Sequence, residues 1–347
     1  MEQFAERVIT WQRTSGRHDL PWQRTRDPYL IWLSEIMLQQ TQVAAVIRYY
    51  ARFLEHFPTL DSLAAAPEDD VLALWSGLGY YARARNLHGA ARLIVQRHAG
   101  VFPGNFADIV ALPGIGRSTA GAIAVFAFGK REPILDGNVK RVFARVFGIA
   151  GFPGDKEISM RMWKHAEDVL PSNDVETYTQ GLMDLGAEVC IRRRPRCECC
   201  PLSGVCVAKR DNRIATLPAP RPKKTLPEKS TVMLILQREG QVLLEKRPAP
   251  GIWGGLWSFP EMADLVDVVG VVHRRFGAQA TLEGILAAVR HGFTHYALTI
   301  TPALLRVTRL ELRAQSAGQA WMTPADAINS AVPAPVRSLL RLLESGG

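Results

Sequence analysis

Leu112-Pro-Gly-Ile-Gly-Arg-Ser-Thr-Ala-Gly-Ala-Ile123 decides how the first half of the chain is read. Apolar residues recur at helical spacing on both sides of its Pro-Gly-Ile-Gly core, which reads as a tight turn between two helices. Glycines in such a turn let the backbone approach a ligand closely, and the N–H groups opening the second helix suit a phosphate oxygen. Gly114, Gly116 and Arg117 are therefore expected to grip a phosphate.

Outward from this turn, residues 1 to about 215 read as helices joined by short turns. Asp27-Pro28 opens a helix over Tyr29 to Leu38, with Asp as N-cap and Pro at the first helical position. The helical period continues through Val43 to Phe57, Val71 to Trp75, Tyr81 to Val95, Ser118 to Phe128, Val139 to Phe147 and Ile158 to Leu170. The span Leu217 to Pro227 is Pro-rich and basic and suits an extended linker. Beyond it the pattern changes to strands. Residues 230 to 237 and 241 to 247 flank Arg238-Glu239-Gly240 as a hairpin, a strand pair fits Ala297 to Thr301 and Ala303 to Val307, and Pro333 to Leu343 reads as a helix. The expected fold is an all-α domain over 1–215, a linker over 216–229 and an α+β domain over 230–347.

Composition agrees with two folded domains. A length of 347 residues suggests two at roughly 150 residues each. With 47% hydrophobic and 22% charged residues, each can bury a core, which excludes disorder as the main state. No apolar run reaches the roughly 18 residues of a membrane span, and Met1 to Trp22 shows no signal-peptide core. The chain is expected to be soluble and cytoplasmic. Its net charge of +9 is concentrated: residues 190 to 227 hold ten Lys and Arg against only Glu198 and Asp211. Such a block marks a polyanion partner, nucleic acid foremost, with a solvated basic linker as the alternative.

Four of the five cysteines fall at Cys190, Cys197, Cys200 and Cys206. A disulfide scaffold does not suit so long a chain without a signal peptide, so metal ligation is the better reading. Zinc usually takes two close Cys pairs; here only Cys197 and Cys200 are close. The asymmetry favours one four-iron, four-sulfur cluster, which takes four Cys ligands, and zinc stays open. Cys199 reads as a spare thiol. A rigid loop here would present Arg192 to Arg196 to a phosphate backbone.

Two carboxylates carry the chemistry. Glu35 has apolar neighbours on most sides of its helix, so burial should raise its pKa and suit it to general-acid work. Asp136 precedes an apolar-periodic helix and can serve as its N-cap, which does not exclude catalysis. A protonated acid beside an ionised carboxylate is what glycosidic cleavage requires.

The hairpin, with Asp136 about twenty residues beyond it, resembles the helix–hairpin–helix DNA glycosylase superfamily. Ser34-Glu-Ile-Met-Leu-Gln-Gln-Thr-Gln-Val43, Leu135-Asp-Gly-Asn138, the four-Cys string and the added C-terminal domain carry the likeness further. Over nearly the whole chain the sequence resembles the adenine DNA glycosylases of the MutY type. That resemblance implies base excision repair of adenine mispaired with 8-oxoguanine or guanine in double-stranded DNA, by a monomer that flips the base. It places the acid on Glu35, the transition-state carboxylate on Asp136, and an orienting role on Asn138. Gln180 would contact the flipped adenine, Leu20-Pro21-Trp22 would wall its pocket, and Gln40 and Tyr80 would wedge into the duplex.

The endonuclease III branch, a pyrimidine glycosylase and lyase, is the nearest alternative. It carries a Lys two residues after the last hairpin Gly for Schiff-base chemistry. Here Gly116 is followed by Arg117 and Ser118, so a monofunctional glycosylase is expected, with Ser118 on the substrate side. A non-catalytic DNA-binding or redox module has no need of both Glu35 and Asp136. The C-terminal domain resembles the Nudix fold, yet Gly254 to Val268 lacks the carboxylate array of a pyrophosphatase, so it should bind without hydrolysing. Phe293-Thr294-His295 matches a family loop that contacts 8-oxoguanine, with Thr where Ser is common. Trp253 and Trp257 are expected in the core.

Overall fold

The computed structural model describes residues 2–222, 226–248, 251–293, 295–311 and 318–345. They form two units: Met1–Ala65 with Asn86–Lys223, and Ala66–Arg85 with Lys224–Gly347. Among the described residues no helix is long and apolar enough to cross a membrane.

The helices run in order as α1 (Glu2–Ser15), α2 (Pro28–Leu38), α3 (Val43–His56), α4 (Leu60–Ala65), α5 (Glu68–Trp75), α6 (Ala82–His98), α7 (Phe106–Ala111), α8 (Arg117–Phe128), α9 (Gly137–Val146), α10 (Lys156–Asp168), α11 (Val175–Asp184) and α12 (Val207–Arg210). Their starts follow the local chemistry. The Asp27 side chain accepts from the Tyr29 N–H at 2.8 Å to cap α2, and Asp136 accepts from the Val139 N–H at 2.7 Å to cap α9. Apolar spacing does not single out α1 or α11. Both earn their place by tertiary packing: Phe4 and Val8 of α1 meet Tyr178 and Leu182 of α11 in one core with Val139, Val142 and Phe143 of α9 and Met162 of α10. A wide π turn over Leu185–Val189 extends α11 and delivers Cys190.

Between α7 and α8 the chain makes the glycine turn. Gly114 sits at φ +79°, and a Cβ there would lie 2.7 Å from the Asn86 Cβ, so both torsion and space require glycine. Gly116 caps α8.

The second unit is built on an eight-stranded sheet. The strands are β1 (Glu228–Arg238), β2 (Gln241–Lys246), β3 (Trp257–Ser258), β4 (Glu261–Met262), β5 (Ala278–Ile285), β6 (Val289–Gly292), β7 (Ala297–Leu310) and β8 (Gln319–Met322). Its spine runs β3-β2-β1-β7-β5, with β4 on β1, β6 on β7 and β8 on β2. β1 and β7 are parallel, Glu228 facing Ala297 and Gln237 facing Arg306. Helix α13 (Val268–Phe276) packs Val268, Val272 and Phe276 onto Leu234, Leu236 and Leu305. Helices α14 (Pro324–Asn329) and α15 (Ala334–Ser345) complete the unit.

Three features differ from the reading along the sequence. The expected strand pair at 297–307 is one strand. β6 pairs with its Ala297–Ile300 half and β5 with its Ala303–Leu310 half, and Pro302 falls at the handover. The Pro302 carbonyl accepts from the Leu286 N–H at 2.9 Å, and in a strand a residue's N and C=O point the same way, so the missing donor faces the gap between β5 and β6. Second, Ala66–Arg85 groups with the C-terminal residues. Ser76 Oγ and Tyr81 OH donate to the Val332 carbonyl at 3.1 and 3.2 Å, and Arg85 Nη1 donates to the Gly254 carbonyl at 2.5 Å. Third, the stretch taken as linker begins anchored, since buried Leu217 gives its carbonyl to Arg145 Nε at 2.9 Å, and its last residues open β1.

Gly121 of α8 lets the segment leading to Asp136 lie close, because a Cβ there would stand 2.6 Å from the Pro133 carbonyl oxygen. Alanine would gain about 1 kcal/mol of helix propensity but must displace backbone. We expect Gly121→Ala to lose about 1–3 kcal/mol of stability, read as a lower denaturant midpoint at unchanged m-value; a stabilised variant would contradict this packing.

Candidate active site

The first unit holds a cavity of about 400 Å³ whose wall includes Arg17, Leu20, Trp22, Ile31, Glu35, Leu38, Phe126, Gln180 and Met183. A short 3₁₀ turn, Pro21–Arg24, supplies Leu20 and Trp22. The Leu20 N–H donates to Gln23 Oε1 at 3.0 Å, Gln23 Nε2 donates to the Arg17 carbonyl at 2.9 Å, and Trp22 sits edge-on to Tyr50 at 5.5 Å. Helix α2 buries Ile31, Trp32, Leu33, Ile36 and Met37, which leaves Glu35 as the carboxyl that this apolar helix turns toward the cavity.

Burial is the main reason that the Glu35 pKa is raised to about 8, and the negative charge of Asp136 lifts it further. Asp136 is not in the cavity wall, but its charge reaches Glu35. Burial raises the Asp136 pKa too, against four opposing influences: the backbone N–H groups of Val139 and Asn138, and the positive charges of Arg141 and Lys140. These four favour the charged form of Asp136, and Glu35 has none like them, so the environments of the two carboxyls differ in a way that favours the proton on Glu35.

Asn138 faces the same helix start. Its Oδ1 accepts from Arg141 Nη2 at 2.8 Å, and its Cβ fills the space where Gly186 has no side chain. Arg141 Nε donates in turn to the Cys190 carbonyl at 2.7 Å. One turn on, buried Arg145 donates to the carbonyls of Ile191 and Arg192 at 2.8 and 3.1 Å and to Cys190 Sγ at 3.4 Å. Cys190, Cys197, Cys200 and Cys206 border one shared cavity together with Val142, Leu185, Val189 and Leu202. Among the described residues no three His, Cys, Asp or Glu side chains stand close enough to hold a single ion. Burial pushes the Cys200 thiol up to about 12 and raises that of Cys197. Cys199 is exposed, its Sγ directed to the Arg196 carbonyl at 3.4 Å.

The structure brings Glu35, Leu20, Trp22 and Gln180 together in the cavity wall. Ser118 is not in that wall. Its Oγ instead accepts from the Leu135 N–H at 2.9 Å, next to Asp136, so it supports the carboxylate rather than lining the pocket. Gln40 is exposed and left-handed at φ +57°, and Tyr80, in the second unit, is exposed at φ +52°, a conformation that costs energy for side chains of this kind. Arg117 stacks over Trp163 at 3.9 Å and pairs with Glu167 at 2.6 Å, so its guanidinium is engaged within the protein, whereas the N–H groups at Gly116 remain at the helix start.

In the second unit Phe293 stacks on Tyr296 at 4.6 Å and neighbours Trp253 at 5.3 Å, while His295 is exposed. Thr294 lies outside the described residues. Trp253 is buried and Trp257 partly so. Sequence reasoning missed Arg17, Arg141, Arg145 and Asp184. The available signal was a charge standing where apolar periodicity asks for none: Arg145 among Val142, Phe143 and Val146, and Asp184 between Leu182 and Leu185.

Residues 33–168 match the HhH-GPD superfamily base excision DNA repair protein family, and residues 231–342 match the NUDIX domain. The adenine DNA glycosylase of Buchnera aphidicola subsp. Acyrthosiphon pisum (strain APS) is 38% identical across 97% of this chain and 96% of its own length. The human adenine DNA glycosylase is 32% identical across 98% of this chain and 74% of its own. A solved thermostable thymine-DNA glycosylase superimposes with a TM-score of 0.55 at 31% identity, covering 60% of this chain and 95% of that one. The chain belongs to the adenine DNA glycosylases, base excision repair enzymes of the helix–hairpin–helix superfamily.

Proposed function

We propose that this glycosylase removes adenine mispaired with 8-oxoguanine or guanine, by drawing the base into the Leu20–Trp22–Gln180 cavity and protonating it from Glu35. The observation that carries the reading is the place of Glu35 in that cavity wall, where burial and the nearby charge of Asp136 raise its pKa. Adenine inside a duplex is out of reach, and extrusion costs a few kcal/mol. By family likeness Gln40 and Tyr80 would wedge into the duplex, and the glycine turn at Gly114–Gly116 is suited to holding a phosphate. Glu35 then gives its proton to the purine, at N7 by family likeness, and the leaving base takes the glycosidic electron pair. Asp136, held as an anion by the α9 start, faces the positive charge that grows on the sugar; water completes the hydrolysis. Asn138, fixed by Arg141, positions that water or the carboxylate. With Ser118 where a lyase carries Lys, no amine stands there for a Schiff base, and the product is an abasic site.

The added domain would read the opposite base, with Phe293, Thr294 and His295 as the contacts. A four-iron, four-sulfur cluster suits Cys190, Cys197, Cys200 and Cys206. The four thiols stand around a shared apolar cavity and would hold the group there, and Arg145, 3.4 Å from Cys190 Sγ, would offset the negative charge of the bound cluster. The cluster would supply a rigid staple for the exposed Arg192, Arg193 and Arg194, which meet phosphate.

Glu35→Gln and Asp136→Asn should each keep binding to a duplex bearing adenine opposite 8-oxoguanine while losing base release. A loss of about 10²–10⁴-fold is the usual contribution of a positioned acid; release unchanged in single-turnover assays would overturn the assignment. The pH profile follows from the signs above. Glu35 acts protonated, so release should fall as pH rises through about 8, and Asp136 acts ionised, so it should also fall toward acid. Glu35→Gln should abolish the alkaline limb. Iron and sulfide analysis should find one cluster per chain, and replacing Cys200 with Ser should lower both the iron content and DNA affinity; zinc at one per chain would refute the cluster.

A further inference from the structure

We infer that Asp184 sets the base preference of the cavity by deciding which end of the Gln180 amide faces the base. This rests on the reading above that Gln180 meets the flipped purine. Asp184 is fully buried. Its Oδ1 accepts from Arg17 Nη2 at 2.6 Å, Arg17 Nε at 2.7 Å and Gln180 Nε2 at 2.8 Å, and its Oδ2 accepts from the Arg17 backbone N–H at 2.9 Å. Glu188, 3.7 Å from Arg17 Nε, is the other carboxylate at this guanidinium.

The two ends of a glutamine amide have nearly the same shape and opposite hydrogen-bonding character. A carboxylate paired with arginine can only accept, so only the NH₂ end of Gln180 can face Asp184. Residues 180 and 184 are one helical turn apart on α11, which fixes the separation. The carbonyl oxygen is thus turned from Asp184 and left as the acceptor that Gln180 can present to the cavity. A 6-amino purine brings an N–H donor to that oxygen. A 6-oxo purine brings a second acceptor, and two acceptors that face each other across the contact are left unpaired, which is a strong form of discrimination for a binding site. Asp184 touches no substrate; it is a positioning residue. The same carboxylate holds the Arg17 backbone, and with it the loop that carries Leu20 and Trp22.

The test compares single-turnover release of adenine, unsubstituted purine and hypoxanthine from otherwise identical duplexes. Asp184→Asn can turn its own NH₂ toward residue 180 and let the Gln180 amide reverse. The adenine-to-hypoxanthine rate ratio should narrow by about tenfold or more, with purine release less affected. Adding Gln180→Glu should restore the ratio, because a carboxyl always has an acceptor for the cavity. A folded Asp184→Asn variant with the wild-type ratio, whether active or uniformly slowed on all three bases, overturns the inference. Should Asp184→Asn fail to fold, Gln180→Glu alone decides: two carboxyls this close share a proton, so its pH–rate profile must gain an ionisation absent from the wild type, and an unaltered profile overturns the inference. If Gln180→Leu keeps the wild-type ratio, the placement of Gln180 against the base fails, and the inference that rests on it falls with it.

Discussion

The proposed reaction needs one carboxyl charged and another protonated in the same buried region of the first unit, and that requirement is the constraint on which the rest of the reading depends. Burial alone would neutralise both. The asymmetry comes from the start of α9, which turns two backbone N–H groups and the charges of Arg141 and Lys140 toward Asp136 and offers nothing comparable to Glu35. Those donors act only if α9 cannot shift. Val139, Val142 and Phe143 bury it against α1, α10 and α11, so core packing holds in place the donors that favour the charged form of Asp136. The absence of a side chain at Gly186, where Asn138 sits, and at Gly121, where Pro133 passes, permits the close approach that this placement needs.

Two arginines, Arg145 buried and Arg141 half-buried, tie the α9 helix to the cysteine loop. A buried cation is tolerated when its donors are satisfied. Arg145 meets that condition with the carbonyls of Leu217, Ile191 and Arg192, and Arg141 with Asn138, Gly186 and Cys190. Most of these acceptors are backbone carbonyls outside regular ladders, which would otherwise go unpaired on entering the interior. The arginines and the irregular loop therefore solve each other's problem: one needs acceptors, the other donors.

The parts of this arrangement that sequence makes legible are the local ones. Asp27-Pro28 announces α2, the glycines announce the hairpin, and the cysteine spacing announces a ligand set, because each depends on residues a few positions apart. Glu35 is legible for a related reason: a charge inside an apolar helix has few comfortable places to go. What spacing does not show depends on partners distant in sequence. Asp184 meets Arg17 across 167 positions, and Ser118 meets Leu135 across 17. Pro302 reads as a strand break and is one only for a strand with the same partner along its whole length; the change from β6 to β5 makes it harmless. Residues 66–85 continue the helical pattern of their neighbours, and it is contacts distant in sequence, to Val332, Gly254, Lys246 and Arg337, that group them with the later half of the chain.

Ser118 shows how one position can settle chemistry twice. A lysine there would bring an amine for covalent capture of the sugar. Serine removes that amine, and its oxygen accepts the N–H of Leu135, the residue immediately before Asp136. Leu135 is buried, so its N–H would otherwise lack a partner, at a cost of about 1–3 kcal/mol. The same hydroxyl thus withholds the nucleophile and secures the backbone that presents the carboxylate. A return to lysine would have to replace that acceptor as well as add an amine, because an ammonium group donates and cannot accept. Changing the reaction class therefore calls for compensation in the 133–136 segment, and the choice between hydrolysis and lyase chemistry is built into the support of Asp136 as much as into the presence of a nucleophile.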